Sequence, residues 1–153
     1  MTIETEKLYT HSFEFDQAGW RWSHFSVDEL KCDCEHFCEG EYYHAPKFLD
    51  ALEKMRRTLG APIIINSGRR CAGHNHAVGG ASQSMHTKEI AIDIKIQPHP
   101  RKSLYEAAIQ CGFTGMGFGV NFMHLDMGRK RRWDYPHAIE LWKKELGFNP
   151  LMR

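Results

Sequence analysis

The sequence has no apolar run approaching the ~20 residues that a membrane-spanning helix needs, so insertion into a bilayer is not expected. It has almost no net charge: 20 lysines and arginines stand against 19 aspartates and glutamates, a balance of +1. Bulk attraction to nucleic acid or to an anionic membrane is therefore excluded as the main design. No internal repeat, low-complexity tract or Ser/Gly linker is visible, and 153 residues suit one domain of ordinary size. The opening MTIETEKLYTHSFEF is acidic and polar, not basic and then apolar, so no secretory signal is expected there. The cysteine count is odd, at five, which argues against a fully paired disulfide framework.

What is present fits a globule with a real core. The chain is 42% hydrophobic and 25% charged, with a mean hydropathy of −0.52. Ten histidines make metal chemistry worth testing. Residues 1–25 are rich in aromatics (Tyr9, Phe13, Phe15, Trp20, Trp22, Phe25) and are expected to form an arm packed on a domain of residues 26–153.

The pattern of elements points to an α+β fold. Ser26-Val-Asp-Glu29 has the form of a capping box and predicts a short helix. Pro46 opens a second helix with the stripe Leu49, Leu52, Met55 and Leu59, which Gly60 ends. Residues 61–66 read as a short buried strand, and Ser67 to about Lys88 as a long functional loop. Ile90 to Ile96 alternates cleanly, with the isoleucines on one face and Ala91, Asp93 and Lys95 on the other. A helix from Pro100 to Cys111 stops at Gly112. Strands are expected over 115–120 and 122–127, then a solvated basic run (Arg129 to Arg132), then a helix over about 136–146 that stops at Gly147. Strands and helices do not alternate regularly, which favours α+β over a parallel α/β sheet.

Three polar side chains stand out. Asp93 lies opposite the isoleucines of its strand, and His124 lies opposite Met123 and Leu125 of its own. If these strands are neighbours, both side chains emerge on one side of the sheet, with His86 at the mouth of the loop that feeds it. Two imidazoles and a carboxylate form a three-ligand set for catalytic zinc that keeps a position open for water. Asp126, on the face of His124 and about 6.5–7 Å along the strand, is the expected general base, with orientation of a ligand histidine as the alternative role. His74, His76 and Glu89 are its rivals.

The motifs Ser67-Gly-Arg-Arg-Cys71, His74-Asn75, Val78-Gly-Gly-Ala81, Ser84-Met-His86 and Ala91-Ile-Asp93 resemble peptidase family M15, subfamily A. This is the group of zinc D-Ala-D-Ala carboxypeptidases and endolysins that shares its fold with the hedgehog signalling domain. Gly112 to Gly117, Phe122 to Asp126, Gly128 and Arg132-Trp133 look like its second half, so the resemblance runs from about Phe25 to Tyr135. It implies a small, mostly antiparallel central sheet flanked by helices. It also implies one zinc ion on His86, Asp93 and His124. Arg70 would bind a substrate carboxylate or oxyanion, and Ser84 would sit at the substrate edge. Where the family has glycine this chain has Glu89, so that turn is expected to be strained or to differ.

The implied activity is hydrolysis of peptidoglycan stem peptides or cross-links. The implied setting is a bacteriophage endolysin awaiting holin-dependent release from the host cytoplasm, or a virion-borne wall enzyme beside other phage proteins. The rival reading is a wall-binding virion module that keeps the fold and metal without turnover. For Cys32, Cys34 and Cys38, free thiols or one disulfide are the favoured reading. A second, structural ion there, with His36 or Cys71 nearby, is the alternative.

Overall fold

The computed structural model describes residues 5–153; the first four residues of the expected arm lie outside the described residues. Among the described residues two sheets and six α-helices form the fold, an α+β arrangement. A small sheet pairs β1 (Lys7–Tyr9) with β2 (Tyr42–His44). The central sheet contains β3 (Ile65–Ser67), β4 (Ala91–Lys95), β5 (Gly115–Phe118), β6 (Phe122–Asp126) and β7 (Arg131–Asp134), in the order β3-β4-β6-β5-β7. Every pairing in it is antiparallel except β5 with β7. No helix among the described residues is long and apolar enough to cross a membrane.

The helices form where local chemistry directs them. In α1 (Val27–Leu30) the capping box is complete: the Ser26 side chain accepts from the Glu29 amide at 3.3 Å, and the Glu29 carboxylate accepts from the Ser26 amide at 2.9 Å. Helix α2 (Pro46–Leu59) buries Leu49, Leu52 and Met55 and ends at Gly60, and α5 (Arg101–Cys111) ends at Gly112. Helix α6 (Ile139–Leu146) ends at Gly147, and all three stopping glycines are left-handed, with φ of 68°, 94° and 82°. The Trp142 indole of α6 is fully buried and donates to the Gly119 carbonyl at 2.8 Å.

Three expectations are corrected. Residues 67–88 are not a bare loop, because they hold α3 (Ala72–Ala77) and α4 (Met85–Lys88). Each is nucleated by its own cap: Cys71 Sγ accepts from the His74 amide, and Ser84 Oγ accepts from the His86 amide. The strand expected over 61–66 shrinks to Ile65–Ser67 at the sheet edge, and Ile64 is exposed rather than buried. The basic run is not simply solvated either. Arg131 opens β7, and Arg132 donates to the Tyr105 hydroxyl at 2.6 Å and to the Pro150 carbonyl at 3.0 Å.

Register sets the two faces of the central sheet. Ile92 pairs with Leu125 and Ile94 with Met123, while Met116 and Phe118 continue those rows, and all six side chains are buried in the core. On the opposite face one row reads Ser67, Asp93, His124, Gly117, Trp133, and the next reads Ala91, Asp126, Gly115, Arg131. Because cross-strand partners share a face, polar residues of four strands are brought into two adjacent rows, to which β5 contributes only glycine.

Candidate active site

The first row builds the centre. His86 Nε2, Asp93 Oδ1 and His124 Nδ1 offer ligand atoms that all lie within 4.8 Å of one another. Asp93 Oδ1 is 3.4 Å from His86 Nε2 and 3.2 Å from His124 Nδ1. Ligand atoms around a tetrahedral zinc with bonds of ≈2.0–2.1 Å would sit about 3.3 Å apart. The two rings meet edge to face, with centroids 5.0 Å apart.

Each imidazole is oriented from behind. His86 Nδ1–H donates to the Gly68 carbonyl at 2.6 Å, which leaves Nε2 buried without a hydrogen-bond partner. An orphaned, buried nitrogen lone pair aimed at a carboxylate and a second imidazole is what a metal ion would satisfy. Burial holds His86 below the usual histidine pKa, in the neutral form a metal requires. His124 Nε2 is 2.6 Å from Asp126 Oδ2, a carboxylate–histidine pair that leaves Nδ1 facing the centre. Burial works against charging His124, but the hydrogen bonds and charges of Asp126 and Asp93 outweigh it and raise its pKa. Burial likewise opposes ionisation of Asp93, yet His124 and His86 hold its carboxyl well below the ordinary range.

Asp126 is fully buried. Its carboxylate accepts from the Gly128 amide at 2.9 Å and from Arg131 at 2.9 and 2.7 Å, besides meeting His124. A carboxylate so committed faces no solvent, so the geometry suits a residue that orients His124, not one that accepts a proton from water. The rivals lie elsewhere: His74 is 3.3 Å from Cys32 Sγ, and His76 and Glu89 are exposed. The turn at Glu89 has φ −135°, so no left-handed residue is needed there. Its carbonyl accepts from Arg69, which is buried and also paired with Glu41.

Arg70 is the arginine that enters the site. It donates to Asn75 at 2.8 Å, to Ser67 Oγ at 3.3 Å and to Asp93 Oδ2 at 3.4 Å. A Cβ on Gly80 would lie 2.0 Å from Asn75 Oδ1 and 2.7 Å from Arg70 Nη1, so a side chain there would break this pair. A pocket of about 530 Å³ opens over the centre and is lined by Arg70, Ser84, His86, Asp93, His124 and Trp133, among others. Ser84 contributes to that wall, while its hydroxyl serves as the cap that places His86.

Sequence reasoning missed Arg131 and Tyr135. Arg131 lies in a run of basic residues indistinguishable from a solvated surface. A Cβ on Gly115 would come within 2.1 Å of Asp126 Oδ1 and 2.4 Å of Arg131 Nη1, so glycine makes room for the buried ion pair. Trp133 packs against His124 at a tilt of 58°, with centroids 4.8 Å apart. Tyr135 lines the pocket and is kept as a neutral phenol by burial.

A family model described as Peptidase M15 matches residues 23–126. The peptidoglycan L,D-endopeptidase MepK of Escherichia coli strain K12 is 31% identical over 97 residues, covering 58% of this chain and 53% of that protein. MepK proteins of Escherichia coli O157:H7 and Shigella flexneri match with the same figures. The chain thus spans about half the length of the curated relatives it matches.

Proposed function

From the premise that this chain belongs to the M15 peptidase family, we propose that it is a zinc peptidase that hydrolyses peptide bonds in peptidoglycan stem peptides or cross-links. The bond named for the MepK relatives, an L,D linkage, is the first to test. The observation that carries the reading is the convergence of His86, Asp93 and His124 around the unpartnered His86 Nε2. Zinc held there would supply Lewis acidity and acidify a water to a pKa of ~7.

The chain's own residues do the rest. Gly68 fixes the tautomer of His86 through its carbonyl, and Asp126 fixes that of His124. Arg131 in turn anchors Asp126. Arg70 presents a planar cation at the pocket wall, suited to a developing oxyanion or a terminal carboxylate. Trp133, Tyr135 and Phe122 give the pocket an aromatic rim for the substrate chain. Asp126→Asn retains the shape of the buried network but weakens its grip on His124 and Arg131. Metal affinity should fall about 10–100-fold, measured by competition with a chromogenic chelator on protein whose circular dichroism is unchanged.

One observation favours a second reading, a wall-binding module with little or no turnover. Asp93 is the sole acid among the residues lining the pocket, so no free carboxylate stands ready as a base. Release of new amino groups from purified peptidoglycan separates the two readings. The peptidase reading expects release that a chelator abolishes and added zinc restores. No release from a zinc-loaded chain that still sediments with the wall would leave the binding module.

A further inference from the structure

A second cluster lies apart from the pocket. Cys32, Cys34, Cys38 and Cys71 offer sulfurs that all lie within 4.8 Å of one another. Cys34 Sγ is 3.3 Å from Cys38 Sγ and 3.7 Å from Cys71 Sγ. Four sulfurs around zinc at ≈2.3 Å would stand about 3.8 Å apart, whereas a disulfide needs ~2.05 Å, and all of these cysteines are free thiols. His36, a neighbour in sequence, does not join the group; Cys71, from a distant turn, does.

We infer that these four cysteines bind a second zinc ion in a closed, purely structural site. Backbone donors already point at three of the sulfurs. The Cys71 amide donates to Cys32 Sγ at 3.4 Å, the His74 amide to Cys71 Sγ at 3.4 Å, and the Glu41 amide to Cys38 Sγ at 3.5 Å. His74 Nδ1 lies 3.3 Å from Cys32 Sγ. N–H groups aimed at sulfur stabilise thiolate charge and set the direction of the ligand. The segment also needs a tether. Residues 31–39 contain no helix or strand, and among them only Cys32 is buried, so apolar packing does little to hold them. Metal binding supplies that kind of folding energy.

The ion joins two stretches far apart in sequence, and one of them carries the site arginine. Cys71 directly follows Arg70, and its sulfur caps α3. The same seam is tight elsewhere: the Arg69 amide donates to the Leu30 carbonyl at 2.9 Å, and a Cβ on Gly73 would meet the Phe37 ring at 2.6 Å. The cysteine centre thus holds the 32–38 segment against the turn that aims Arg70 into the pocket.

Cobalt(II) alone tests this on the full chain, reduced and stripped of metal. About one equivalent should give sulfur-to-cobalt charge-transfer absorption in the near ultraviolet with tetrahedral visible bands, and zinc should bleach both. The absorption should persist in His86→Ala/His124→Ala, which separates this centre from the proposed active site. It should be lost in Cys34→Ser/Cys38→Ser and unchanged in Cys111→Ser. If the serine variant fails to fold, the wild-type spectrum decides alone. Absence of charge transfer in the reduced wild type, or an unreduced chain lighter by two disulfides and holding no zinc on sulfur, overturns the inference.

Discussion

His124→Ala should lower peptidoglycan hydrolysis by about 10³-fold or more, a loss of ~4 kcal/mol in transition-state stabilisation. The reason is geometric. In the proposed metal site His124 would supply the ligand nitrogen from the middle strand of the sheet, between Asp93 on β4 and Gly117 on β5. The cross-strand place beyond it is Gly117, which offers no side-chain donor to replace it. The alanine also leaves Asp126 without the imidazole it meets at 2.6 Å, although Arg131 keeps the carboxylate paired. The fold should therefore survive, as checked by circular dichroism and thermal melting. Metal analysis should show the loss of one zinc per chain. A folded variant that keeps more than about a tenth of the wild-type rate would remove His124 from the chemistry.

Arg70→Ala should lower kcat/KM by about 10²–10³-fold with bound metal unchanged. Arg70→Lys should recover little of this, because a lysine ammonium lacks the planar fork that engages Asn75 and Asp93 while facing the pocket. If Arg70 grips a terminal carboxylate, most of the loss falls on KM; if it stabilises an oxyanion, most falls on kcat. Loss of zinc together with activity would instead show that its contact with Asp93 Oδ2 at 3.4 Å maintains the ligand set. Steady-state kinetics on a defined stem peptide, with metal analysis beside it, resolves these outcomes.

Much of the site was legible in the chain because strand alternation is a local property. The isoleucines of β4 and the Met123/Leu125 pair of β6 bury one face, so Asp93 and His124 had to appear on the other. Helix ends were legible for the same local reason, since Ser26, Gly60, Gly112 and Gly147 act within a turn of their own position. His86 was suggested by its place at the mouth of the loop feeding β4, and motif resemblance then supplied Arg70, which no periodicity marks. Which of its two roles Asp126 plays, base or orienting partner of His124, was not legible. Its place two residues beyond His124 suggested an exposed base, but its burial depends on Arg131 arriving on β7 and on Gly115 leaving space for the ion pair.

By itself the sequence determined which residues face away from the core, where the helices stop, and that the chain carries a His–Asp–His set within M15-like motifs. Tertiary structure alone decided that β4 and β6 are neighbours in a register setting Asp93 opposite His124, and that β7 joins β5 in parallel and locks Asp126. It alone also brought Cys71 to Cys32, Cys34 and Cys38. The physical reason is range. Side-chain periodicity and capping act over a few residues, whereas strand neighbours, ion pairs and sulfur clusters join segments whose separation leaves no trace in local pattern.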